Sequence, residues 1–210
     1  SVALATRTIG DLVELAQTGR TPARSAYTPM GVFTLKVGNL SGQGIEWTPR
    51  DRNFVSPASV SKQLLLAEGD IVLTSSAHHP RYIAQKVDIV HSIPDFVGGR
   101  ATFTAEVMRL RVKPGTIDPF ELLAILRKPS TKVAIRRLVS GQTAHLRPKD
   151  LLQLHIPDEP IPDRVIALLK LEADLSRQLN LAMSEQRELL GYDTEEAEAD
   201  PDVAATRELL

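Results

Sequence analysis

At 210 residues and 42% hydrophobic, the chain can bury a core of its own and carry one globular domain with an appendage, which excludes disorder throughout. It has no cysteine, which excludes a disulfide framework and a thiolate metal site and fits a cytoplasmic location. The net charge of −1 hides a division: residues 1–150 hold 20 Lys and Arg against 12 Asp and Glu, and residues 151–210 hold 5 against 14. Such asymmetry hints at nucleic-acid contact by the basic part, though a solvated surface can carry it too. No apolar run approaches the roughly 20 residues of a bilayer span, and the first residues lack the charged and apolar regions of a signal peptide, so no membrane partner is expected. The chain begins at Ser1, which leaves room for a longer parent.

Thr8 with Asp11 three residues on reads as a helix cap, and Ile9, Leu12, Val13 and Ala16 have helical spacing, which predicts a first helix to about residue 17. A turn-rich stretch with Arg20 and Arg24 follows, then a predicted strand over 32–40 and a loop around Trp47. Glu68, Gly69 and Asp70 break two apolar segments, and Ile71 resumes as a buried strand. Further strands are expected over 82–90 and 102–112. Asp118, Pro119 and Glu121 suit the cap, first and third positions of a helix that ends at Pro129. Ser130 can cap a second helix to about residue 139, closed by Gly141, and residues 151–156 alternate enough for one more strand. These elements predict a mixed α/β head, α+β-like in its segregation, over residues 1–157.

From Ile161 the pattern changes. Ile161, Val165, Leu168, Glu172, Leu175, Leu179, Ala182, Gln186 and Leu189 follow the alternating four-and-three spacing of a coiled-coil seam, with Glu172 and Gln186 as polar exceptions. Pro162 and Gly191 bound a helix within residues 158–191, roughly 42 Å of rod at 1.5 Å per residue. That length predicts overshoot of the head and a partner helix; packing along the chain's own head is the alternative. Residues 192–210 form an acidic tail.

Catalytic patterns are missing. There is no Gly-x-x-x-x-Gly-Lys-Ser/Thr phosphate loop, and Gly42-Gln43-Gly44 alone is too weak for a dinucleotide site. The Asn- or Asp-Pro-Pro-aromatic run of an amino-methylating site is absent, as is a Glu-x-Lys after any Pro-Asp pair. His78 and His79 are adjacent, point apart and suit a loop or phosphate role better than a metal; Ser140 and His145 lack a supporting acid. No catalytic residue, metal or cofactor is expected, and the chain reads as no enzyme.

The order of a short helix IGDLVEL, the turn TGRTP, a strand leading to Gly38-Asn39-Leu40, the segment LLLAEGDIVLTSS, a double helix, GQTAHLRPKDLLQLHIP and a long helix resembles one target-recognition half of a type I restriction-modification specificity subunit. The resemblance covers about residues 8–190 and is anchored by Gly69-Asp70-Ile71-Val72 and by Gly141-Gln142-Thr143 leading to Leu152, Ile156 and Pro157. It implies a non-catalytic reader of double-stranded DNA that directs a partner adenine methyltransferase, and in some systems a restriction subunit. The family's usual chain has two recognition domains and two long helices. This chain has one of each, which implies either a homodimer through the seam or a missing half in a fused protein.

Arg20, Arg24, Arg50, Arg52, Arg81, Lys86 and Arg100 fall in predicted loops or strand ends suited to phosphate contact. Asn39, Gln43, Asn53, Gln142 and again Arg52 carry the forked or two-faced groups that base edges require, with ordinary surface solvation as the alternative for each. Trp47 and Tyr82 suit stacking or the core. Two rival readings stand beside this one: the recognition end of a longer fused methyltransferase, and a coiled-coil adaptor with no DNA role.

Overall fold

The computed structural model describes residues 5–50, 52–139 and 143–192. Its elements are β1 (Thr6–Thr8), α1 (Ile9–Leu12), β2 (Val13–Thr18), β3 (Tyr27–Leu35), β4 (Phe54–Val55), β5 (Ile71–Thr74), β6 (Ser76–Ala77), β7 (Val87–Ile89), β8 (Ala101–Phe103) and β9 (Val107–Val112). They continue as α2 (Pro119–Arg127), α3 (Pro129–Arg137), β10 (Ala144–His145), α4 (Pro148–Leu152), β11 (His155–Pro157) and α5 (Asp163–Leu190). The fold is mixed α/β with a long C-terminal helix, as the sequence predicts.

Local signals place the starts of α1 and α2; α3 instead begins at Pro129 behind Lys128, so the cap expected of Ser130 does not form. The Asp11 N–H donates to Thr8 Oγ1 and the Thr8 N–H to Asp11 Oδ2, a reciprocal cap. The Phe120 N–H donates to Asp118 Oδ1 at the head of α2, and α2 stops just before Pro129. The long helix ends on Gly191, whose left-handed φ of 74° a residue with a Cβ adopts only with strain.

Non-local pairing overrides several expectations. The first helix stops after one turn because residues 13–18 pair antiparallel with β9. The strand expected over 151–156 is instead the short helix α4 followed by β11, which pairs with β1 so that Thr6 faces Pro157. The strand expected over 82–90 shortens to β7, and that over 102–112 divides into β8 and β9, which lie in different sheets.

An antiparallel sheet of order β2-β9-β5-β7 separates two cores. Its pleat sends alternate side chains to opposite faces. Ile71, Leu73, Met108 and Leu110 pack with α1, α2 and α4, whereas Val72 and Val107 face Phe33, Leu35, Trp47 and Phe103 of a second core. That second core lies under a three-stranded sheet of order β4-β3-β8, in which β3 and β8 run parallel. Trp47 is therefore a core residue, edge-on to Phe33 at 5.4 Å between ring centroids.

The long helix crosses both layers. Ile166, Leu169 and Ala173 pack on the first core. Asn180 then grips the loop before Trp47, accepting from the Trp47 N–H at 2.8 Å and donating to the Ile45 carbonyl at 2.9 Å. Near its end, Ser184, Arg187 and Glu188 line a cleft with Thr48, Pro49 and Phe96. The helix thus lies along its own head for most of its length, and the overshoot inferred from its length does not occur. At Gly44 the approach is so close that a Cβ would stand 2.0 Å from Ser176 Oγ.

Candidate nucleic-acid interface

The face expected to meet DNA is built on loops that the three-stranded sheet holds in place. Phe33 N–H donates to the Arg100 carbonyl and Arg20 N–H to the Phe103 carbonyl, so these arginines leave opposite ends of β8. At about 3.3 Å per residue their backbones stand roughly 10 Å apart. Arg24 begins a single helical turn whose last residue, Ala26, accepts from the Ser56 N–H after β4. Arg20, Arg24 and Arg100 are exposed and, among the described residues, have no ion-pair or hydrogen-bond partner for their side chains.

Asn39 and Asn53 require correction: both are only 2% exposed and neither can reach a base edge. Asn39 accepts from the Lys36 N–H and donates to the Glu46 carbonyl. Asn53 accepts from the Arg50 N–H at 2.7 Å and donates to the Thr34 carbonyl at 3.1 Å. Their amides satisfy backbone groups that the tight loops would otherwise bury unpaired. They brace the segment that displays Arg50 and Arg52, both exposed. Arg50 is paired with Glu46 at 3.0 Å, and Arg52 holds a left-handed φ of 56°.

The remaining candidates are dispersed. Gln43 is exposed at the tip of residues 41–44, a loop clamped from below by Asp88, which accepts from the Gly42 and Gly44 N–H groups at 2.9 Å each. Burial pushes the Asp88 carboxyl above its ordinary value, while those donors and Arg127 pull it down. Lys86 is half-buried beside Gly42. Arg81 belongs to another group: its guanidinium lies 4.6 Å from the Tyr82 ring centroid, His78 packs on that ring, and the His79 ring accepts from the Arg81 N–H. Gln142 and Ser140, with the acidic tail from residue 193 onward, lie outside the described residues.

Two features escaped the sequence reading. Lys62 is exposed beside residues 59–61, which form one wall of an open cleft with Arg20 and Thr21 on the other. Behind that cleft Arg109 is fully buried. It donates to the Gln63 and Leu65 carbonyls at 2.8 and 2.9 Å, binds Gln17 Oε1, and faces Asp70, which Arg111 holds at 2.7 Å. Desolvation lowers the Arg109 pKa, with Asp70 opposing; hydrogen bonds to Asp70 raise that of Arg111.

The helix presents a second surface. Of the predicted seam, Ile161 is buried in the first core, and Glu172 pairs with Arg127 at 2.6 Å, which explains one polar exception. Val165, Leu168, Leu175, Leu179, Ala182 and Leu189 are exposed, joined by Leu171 at 52%. Leu168, Leu171, Leu175, Leu179 and Met183 border a groove whose other bank is residues 41–46. The chain therefore packs one stripe of α5 on itself and leaves an adjacent apolar stripe uncovered. Among the described residues no group of three or more His, Cys, Asp or Glu could hold a metal, and no helix is long and apolar enough to cross a membrane.

No protein-family model and no curated protein matches the sequence. Solved structures do match. A chain from a study of complex assembly and conformational transition in the type I R-M system aligns with 91% of this chain and 44% of its own length, at TM-score 0.55 and 16% identity. The HsdS subunit from Thermoanaerobacter tengcongensis aligns with 89% of this chain and 40% of its own, at TM-score 0.52 and 17% identity. The chain has the fold of one head and one long helix of a type I specificity subunit. It spans about two fifths of the length of these neighbours.

Proposed function

We propose that this chain is a DNA-recognition half of a type I restriction-modification specificity subunit, non-catalytic and cytoplasmic, which directs a partner adenine methyltransferase, and a restriction subunit where one is present, to its target. The observation that carries the reading is the half-subunit fold with an uncovered apolar stripe on its long helix. A second copy fits that stripe, since an isologous pair would cover both helices at once and place two heads at a fixed separation. A second reading has the other half in the same longer polypeptide, since the chain spans about two fifths of its neighbours' length and this span fits either arrangement. The unpaired Arg20, Arg24 and Arg100 around one sheet favour DNA over an adaptor role.

Filter binding of the full chain to random-sequence duplex, with and without its methyltransferase partner, tests the electrostatics. Affinity is expected to fall steeply between low and high salt, and changing all three arginines to Ala should reduce the slope of log K against log salt by about 3, near 1 per phosphate contact. Affinity indifferent to salt contradicts the mechanism.

A further inference from the structure

Met30 is 78% exposed, far above Val133 at 46%, the next large hydrophobic among the described residues of the head. Scattered exposed apolar residues need no explanation, but this one is held out by its backbone. Tyr27 and Val32 both pair with Val55 of β4, so the residues between them bulge from the register of the sheet. Thr28 Oγ1 donates to the Met30 carbonyl at 2.8 Å and closes the turn around Pro29. Gly31, at φ 145°, lies so close to the Val55 carbonyl that a Cβ would stand 2.3 Å from it. The tip is Pro29-Met30.

Segments that carry Arg24 and Arg100 border the foot of this bulge. Gly98 packs against the Gly31 carbonyl, two residues before Arg100. On the other side Gly31 abuts Val55 and Pro57, and Ser56 between them bonds to Ala26, two residues after Arg24. A rigid apolar tip with the segments of two unpaired arginines at its foot suits a polyanion with an apolar interior. In duplex DNA phosphates line the outside, and a Met or Pro side chain can part a base step.

We propose that Met30 is a wedge that enters one base step of the bound duplex while Arg24 and Arg100 contact phosphates on either side. The inference rests on the DNA-binding reading above. An unbranched thioether is thin and polarisable enough to slide between stacked bases, and parting a step kinks the duplex.

The test uses the full chain and a 2-aminopurine-substituted duplex recovered from a random pool, labelled at both ends for energy transfer. Wild type should raise 2-aminopurine fluorescence at one step and shorten the end-to-end distance. Met30→Ala should abolish both signals and weaken binding about tenfold, the scale of one large apolar contact. Met30→Leu should retain both. Unchanged signals in Met30→Ala, with binding intact, overturn the wedge and leave DNA recognition standing. Loss of methyltransferase association alone assigns the tip to a protein contact and also overturns the wedge. No duplex binding by wild type at low salt removes the DNA reading itself, and the wedge with it.

Discussion

If two copies pair through the uncovered stripe as proposed, replacing both Leu175 and Leu179 by Lys is expected to leave a well-folded monomer. These residues are 55% and 61% exposed in the single chain, so the head loses little packing. Burial of each half-exposed Leu at a twofold contact contributes roughly 1 kcal/mol, so removing four across the pair costs about 4 kcal/mol, close to a thousandfold in Kd. The thermal transition of the dissociated head should remain cooperative, because Asn180, Glu172 and Ala173 still dock the helix. Light scattering after size exclusion gives the mass directly. A wild-type chain that is monomeric at high concentration contradicts pairing through this stripe, as does a double variant that stays dimeric.

Asp70→Ala is expected to destabilise the fold by about 3–5 kcal/mol, the usual cost of stripping one partner from a buried ion pair. Asp70 and Arg109 are both completely buried, and Arg111 binds the same carboxylate through two nitrogens at 2.7 and 2.9 Å. Without Asp70 two guanidinium groups face one another with no anion between them, and the Ala67 N–H loses its acceptor. At roughly 2–4 °C per kcal/mol for a chain of this size, the melting temperature should fall by about 6–20 °C. Removing the second charge as well, in Asp70→Ala with Arg109→Met, should restore part of the loss. A single variant within 1 kcal/mol of wild type would mean that the network contributes little.

Arg109 illustrates what the sequence conceals. In the run Val-Met-Arg-Leu-Arg-Val nothing local marks it as buried, because a second sheet covers its face and its carboxylate partner is 39 residues away. The asparagines mislead for a related reason. Loop amides suit base edges, but Asn39 and Asn53 are consumed by the backbone of the loops that carry them. Caps at Thr8, Asp118 and Gly191 were legible because each involves only neighbours in sequence. The extent of the first helix was not, since Val13 to Thr18 gain more by pairing with β9 than by continuing a turn.

The long helix was half legible. Its leucine stripe is conspicuous and does stand uncovered, but a second stripe through Ile166, Leu169, Ala173, Ser176 and Asn180 determines how it lies on the head. Asn180 was the available signal, a polar residue in register with small and apolar ones. The arginines around β8 were legible as loop cations. Their convergence on one layer was not, because Arg20, Arg24 and Arg100 come from distant segments joined only by the β3-β8 pairing and its flanking hydrogen bonds.

Selection of duplexes from a random pool by the full chain tests the central proposal most directly. The account predicts enrichment of a split motif whose two halves are inverted copies, separated by a constant spacer that the paired helices set. Recovery of no sequence preference at any salt concentration would contradict it.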